Sequence, residues 1–160
     1  MSNELPPTLP CKKKHTSERR AGSRRGVSVV DVVRAGTSSL RMRMLDGGVL
    51  LLEMSGLLTA KALAEFAGKA MRAHAHEAKG FVLDYRRGVI LATADEMGQL
   101  VDRVQPGSPL TRPGAFVTTE SNVLLMREHA VRMARLGMWR KTFYNVALAA
   151  DWVRLKASSS

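Results

Sequence analysis

The sequence predicts an α/β layered domain built on a mixed sheet of about five strands, in the order β-β-α-β-α-β-α-β-α. Three observations carry this prediction. From Ser39 onward, short apolar runs alternate with amphipathic stretches of helix length. Asp46-Gly47-Gly48 separates the first two apolar runs, where a hairpin turn belongs. A composition of 45% hydrophobic and 24% charged residues is a globular balance, and 160 residues suit one domain.

The elements follow in order. Leu40, Met42 and Met44 alternate with Arg41, Arg43 and Leu45, the pattern of a half-buried strand. Val49 to Met54 is more uniformly apolar, so it reads as a more central partner in a hairpin, ended by Gly56. Thr59 stands at a helix N-cap position, and Leu63, Phe66, Ala67, Ala70 and Met71 then fall on one stripe, in a helix expected to stop near Lys79-Gly80. Phe81-Val82-Leu83 is an unbroken apolar run that reads as a buried strand ended by Asp84. Thr93-Ala94-Asp95-Glu96 fits a capping box and opens a second helix, with Met97, Leu100, Val101 and Val104 as its apolar face and Pro106-Gly107 as its end.

Ala115-Phe116-Val117 is the next buried strand. A third helix is expected from a Ser121 cap to Gly137, burying Val123, Met126, Ala130, Met133 and Ala134 and exposing Arg127, Arg132 and Arg135. Thr142-Phe143-Tyr144 reads as a short strand, and Asn145 as the cap of a last helix burying Leu148, Ala149, Trp152 and Leu155. Strands alternating with helices imply parallel neighbours joined by right-handed crossovers, with the hairpin adding an antiparallel edge.

Charge divides the chain differently. The formal net charge is +11, and residues 1–26 hold seven Lys/Arg against two Glu, leaving +5 on that segment. It also carries three of the six prolines and almost no large apolar side chain, so it reads as a disordered basic arm. Such an arm attracts nucleic acid or an anionic membrane through phosphate neutralisation, or is simply a solvated tail; no aromatic is interleaved in it to stack on bases. Residues 27–38 are an unassigned connector containing the apolar stretch Val27–Val33, residues 39–157 form the single folded domain, and 158–160 are a frayed tail.

A single cysteine, Cys11, leaves no internal disulfide and no cysteine-built zinc site, and fits a reducing compartment, so a cytoplasmic protein is expected. The longest apolar run, Val49 to Leu52, is far short of the roughly 20 residues of a membrane span. The N-terminus has no apolar core behind its charges, so it is not read as a secretory signal.

Catalytic templates are missing: no GxGxxG, GxxxxGK[ST], GxSxG or HExxH occurs. His74 and His76, two residues apart on a helix, point to different sides and cannot share a metal, so they read as a solvated helix end. His129 is assigned to the polar side of the third helix as a surface histidine. Asp84 is either an acid at a strand's carboxyl end, where ligands of open α/β sheets gather, or a turn former. Beside it, Tyr85-Arg86-Arg87 offers two cations to an acidic partner or sits in a solvated loop. Arg127, Arg132 and Arg135, followed by Arg140 and Lys141, make a basic surface that is solvated or binds phosphate or an acidic protein. No metal site and no cofactor are expected.

Three segments carry a family resemblance: "LLLEMSGLLTAKAL" (Leu50–Leu63), "FVLDYRRGVI" (Phe81–Ile90) and "KTFYNVALAADWV" (Lys141–Val153). Together they resemble the STAS domain of bacterial anti-sigma-factor antagonists and a looser STAS-like group of small bacterial proteins, over roughly Leu40 to Ala157. The resemblance implies a non-enzymatic module that binds a regulatory protein through Asp84, Tyr85, Arg86, Arg87 and Thr93. In that family a Ser or Thr at the start of the helix after the Asp strand is phosphorylated. Here "LATADEM" replaces the family's Asp-Ser-Ser-Gly, so Thr93 alone offers a hydroxyl there. STAS-like sheets also resemble the lipid-binding CRAL-TRIO fold, which implies instead an apolar pocket beneath the second and third helices, lined by Met97, Leu100 and Met126.

Overall fold

A computed structural model describes residues 29–159. Six strands form one sheet: β1 (Val29–Ala35), β2 (Ser38–Leu45), β3 (Val49–Leu58), β4 (Gly80–Ile90), β5 (Gly114–Val117) and β6 (Arg140–Phe143). Four helices accompany them: α1 (Ala60–Ala73), α2 (Ala94–Asp102), α3 (Val123–Arg135) and α4 (Val146–Ala157). The strands lie side by side in sequence order, with β1-β2-β3 antiparallel and β3-β4-β5-β6 parallel. The α/β mixed sheet is as predicted, with six strands rather than five.

The additional strand is β1, which occupies most of the stretch expected to be an unassigned connector. Its polar and apolar residues alternate too weakly to be read alone, because it is an edge strand held by β2 on one side only. Asp31 on β1 lies 3.7 Å from the His74 imidazole at the end of α1, so His74 is tucked against the sheet edge rather than solvated as expected, while His76 is exposed. The arm of residues 1–26 and its Cys11 lie outside the described residues.

Stepping always in one direction, three right-handed crossovers put α1, α2 and α3 on the same face of the sheet. Leu50, Leu52, Met54, Phe81, Tyr85 and Phe116 point to that face and meet Leu63, Phe66, Met97, Val101, Met126 and Met133 of the helices. Residues of opposite parity, Val49, Leu51, Val82, Ala115 and Val117, point to the other face, where α4 folds back and buries Ala149, Ala150 and Val153 against them. The last helix therefore does not bury Leu148 and Leu155 as expected; they are 62% and 65% exposed. With alanines at the contact, α4 lies close to the small residues of β5, and the larger side chains are turned outward. Asn145 caps this helix, its side chain accepting from the N–H groups of Ala147 at 2.8 Å and Leu148 at 3.2 Å.

Several boundaries move. Helix α1 ends at Ala73, short of the expected Lys79-Gly80, and α3 begins at Val123 after a single tight turn over Glu120–Asn122. Neither Gly56 nor Asp84 ends its strand: β3 continues to Leu58 and β4 to Ile90, each pairing the other to its last residue. Between Asp84 and Arg87 the register slips by one residue against β3, a bulge inside β4. Because β5 pairs only with Phe81 to Asp84, the later half of β4 has β3 as its one strand neighbour, and the end of this β3–β4 ribbon extends past β5. No helix among the described residues is long and apolar enough to cross a membrane.

Candidate functional site

The bulge in β4 sorts the chemistry of Asp84, Tyr85, Arg86 and Arg87. Asp84 and Arg86 point toward the α4 side, where the Arg86 guanidinium grips the carboxylate through Nε (3.0 Å to Oδ1) and Nη2 (2.8 Å to Oδ2), and the Arg86 backbone N–H adds a third bond at 3.1 Å. This pairing raises the guanidinium above its ordinary value, the hydrogen bond to Asp84 being the main cause. With its lone pairs taken, Asp84 acts as the brace of the bulge, in mid-strand and not at a strand's carboxyl end. Arg87 is exposed.

Tyr85 goes to the opposite face and is buried at 3% exposure, although the sequence reading gives it to an exposed partner-binding loop. There it meets two residues from elsewhere in the chain. Its ring stands edge-on to Phe116 of β5 at 6.1 Å, and the other side of Phe116 packs on the imidazole of His129 from α3 at 5.5 Å. His129 is thus buried, not the surface histidine expected. Its position was readable, because Met126, His129, Ala130 and Met133 follow the i, i+3, i+4, i+7 spacing of the helix's apolar stripe.

These residues line a cavity of about 120 Å³ between the sheet and helices α1 and α2. Its wall is mainly apolar, with Leu52, Met54, Phe66, Met97, Leu100 and Val101 prominent, and three polar side chains enter it: Tyr85, His129 and Arg140. Met97 and Leu100 lie where the pocket is expected, while Met126 is fully buried behind it and is not part of the wall. His129 also borders an outer groove of about 310 Å³ between α2 and α3, with Asp95, Glu128, Arg132 and Arg135 along it. The imidazole therefore separates a charged exterior from an apolar interior.

Arg140 is the cavity residue that reading by charge alone misplaces. It belongs to β6, not to a basic surface on the third helix. Gly114, its partner on β5, leaves room for the guanidinium to lie flat on the sheet; a Cβ there would sit 3.1 Å from Cζ. Nη1 donates to the carbonyls of Arg112 at 2.6 Å and Trp139 at 2.8 Å, and Nη2 donates to that of Leu110. Burial pulls its pKa down to about 10, with Tyr85 opposing, so it remains a cation at neutral pH. Among the described residues no carboxylate pairs with it.

Neither protein-family models nor curated proteins give a significant match to this chain.

The remaining predicted residues stay apart from the cavity. Thr93 forms the expected capping box: its Oγ accepts from the Glu96 N–H at 3.2 Å, and its own N–H donates to the Glu96 carboxylate at 2.8 Å. It is exposed at the start of α2. Arg132 spans from α3 to Asp102 of α2 at 3.1 Å, Arg135 borders the outer groove, and Arg127 projects to solvent outside it. Arg132 and Arg135 thus share the outer groove, and Arg127 stands outside it. Among the described residues no cluster of three or more His, Cys, Asp or Glu could hold a metal ion.

Burial fixes the protonation of the cavity's titratable groups. It pushes the Tyr85 phenol well above its ordinary value, Arg140 opposing, and holds the His129 imidazole down at about 4, with repulsion from Arg140 and Arg132 adding to the effect. His129 thus enters the fold neutral. Between about pH 6.5 and 4 the unfolded chain binds a proton that the folded chain refuses, so this contribution to stability is complete above pH 6.5 and is lost as pH falls through that window. The loss at the lower end is on the order of 3 kcal/mol. Denaturant midpoints measured from pH 7 to pH 4 are expected to fall more steeply for the wild type than for His129→Gln; parallel slopes would assign the acid sensitivity to other groups.

Proposed function

We propose that the chain is a non-enzymatic, STAS-like binding domain whose ligand is a small, mainly apolar molecule seated in the cavity around Phe116. The observation that carries this reading is an apolar cavity into which a phenol, an imidazole and a guanidinium converge, the arrangement by which binding pockets combine apolar area with a few orienting polar groups. An apolar cavity of roughly 150 Å³ takes a benzene ring, so about 120 Å³ suits a single ring or a short branched chain rather than a long acyl chain. Two features speak for binding over catalysis. Tyr85 keeps its proton and His129 stays neutral across the neutral range, whereas general acid–base catalysis works best with groups titrating near the working pH.

The test is binding of an environment-sensitive apolar fluorophore of single-ring size, followed by its displacement with neutral compounds such as toluene and isobutylbenzene. Wild-type protein is expected to enhance the fluorescence saturably. Leu100→Trp, which fills the cavity from α2, is expected to abolish the enhancement while leaving the circular dichroism spectrum unchanged. Equal enhancement by the filled variant would overturn the reading.

A second reading, docking of a regulatory protein, is supported by the projecting β3–β4 ribbon. Leu57, Val89 and Leu91 are about half exposed on it, next to Arg87 and close in sequence to Thr93. An apolar centre with a charged rim is the composition of a protein interface. It lies on a different part of the molecule from the cavity, so one domain can hold both.

A further inference from the structure

We infer that Arg140, with Tyr85 and His129, forms an anion site in the cavity wall, and that the ligand is a small monocarboxylic acid with a one-ring or short branched apolar body. This rests on the cavity being a ligand site and adds the charge and the functional group of the ligand.

The first argument is an unbalanced charge. Taking a guanidinium out of water is costly, and folded proteins offset that cost by pairing the cation with a carboxylate. Arg140 is partly buried beside an apolar cavity, and the acceptors that hold it are three neutral backbone carbonyls. The nearby acid groups are committed elsewhere: Asp84 lies on the opposite face with Arg86, and Asp102 is paired with Arg132. Among the described residues, the fold thus places a positive charge at the cavity and no negative one. The second argument is unspent donor capacity. A guanidinium carries five N–H groups, of which the carbonyls of Leu110, Arg112 and Trp139 take three. Among the described residues, neither the Tyr85 hydroxyl nor the His129 ring has a hydrogen-bond partner, although both groups line the cavity. Both residues line the cavity, and an acceptor bound there would give each a partner.

The third argument concerns which anion. The wall is overwhelmingly apolar and contains one cation, which matches a single negative charge attached to a hydrocarbon body rather than a phosphate dianion. The Arg140 guanidinium is also preset. Clamped by three carbonyls and laid over Gly114, it loses little freedom when an acid binds.

The experiment titrates the full chain with benzoate and 3-methylbutanoate, and with benzamide and 3-methylbutanamide as neutral isosteres, by calorimetry and by displacement of the apolar fluorophore. Each acid is expected to bind wild-type protein about tenfold or more tightly than its amide, the fold-change of a charge-assisted hydrogen bond. Arg140→Gln is expected to remove that preference, weakening each acid about tenfold and each amide by less. Because Arg140 also ties Leu110, Arg112 and Trp139 together, Tyr85→Phe serves as the second variant. It deletes one hydroxyl from an otherwise unchanged ring and is expected to weaken acid binding several-fold, and amide binding by less, because a hydrogen bond to a charged acceptor is the stronger one. Equal affinity of acid and amide for the wild type would overturn the anion site while leaving the apolar ligand reading intact. Failure of every compound, together with failure of the fluorophore to bind, would overturn both.

Discussion

Gly56→Ala is expected to destabilise the domain by about 3 kcal/mol or more, the sum of a left-handed backbone penalty and a backbone collision. Gly56 has φ of +85°, and a Cβ there would overlap the Thr37 carbonyl oxygen and lie 3.0 Å from the Ser38 Cα. Neither neighbour can move cheaply. Ser38 is buried at the start of β2, and its hydroxyl donates to the Leu57 carbonyl at 2.5 Å, which ties the β2 start to β3 just past Gly56. Gly36, in the β1–β2 turn, supplies the comparison. Its φ is +59°, but a Cβ added there would meet nothing within 4 Å, so Gly36→Ala is expected to cost only about 1 kcal/mol. Urea unfolding of the two variants separates the contributions. Equal losses would show that the Thr37 approach relaxes freely.

Phe116→Ala is the second large effect, expected at about 3–5 kcal/mol. Phe116 is 1% exposed on the shortest kind of strand in the sheet, four residues long, and links the Tyr85 ring to the His129 ring. Its removal leaves β5 with only alanine, glycine and valine to pack, and merges its own volume with the cavity already present. A lower denaturant midpoint with an unchanged slope would report lost packing. A loss below about 1 kcal/mol would show that the helices collapse into the space.

The order of elements was legible in the sequence because its signals are local. The apolar stripes of α1 and α2, the Thr93 capping box and the apolar runs of β3, β4 and β5 each depend on residues within one or two turns of one another, and these recur in the structure. What was hidden depends on neighbours distant in sequence. β1 exists because β2 pairs with it, and β4 runs past Asp84 because β3 runs beside it. The α4 packing face keeps Ala149 but turns toward Ala150 and Val153, because β5 offers it small residues. The candidate site shows the same division. Met97 and Leu100 were placed by helical spacing, and His129 could have been by the same rule. Arg140 could not: its role comes from Gly114 on the adjacent strand and from carbonyls reached only after folding. An arginine near others was grouped by proximity in sequence, although its chain neighbours point elsewhere.

The return of α4 to the second face has a consequence for how the chain is made. Every strand pairs with the one before it, so the sheet can assemble progressively as the polypeptide emerges. Among the described residues, nothing that precedes residues 146–157 covers the side formed by Val49, Leu51, Val82, Ala115 and Val117. Arg154 then donates to the Asp46 carbonyl at 2.9 Å, joining two positions 108 residues apart. Of the described residues, the cover for this oily plane is thus the helix that leaves the ribosome last.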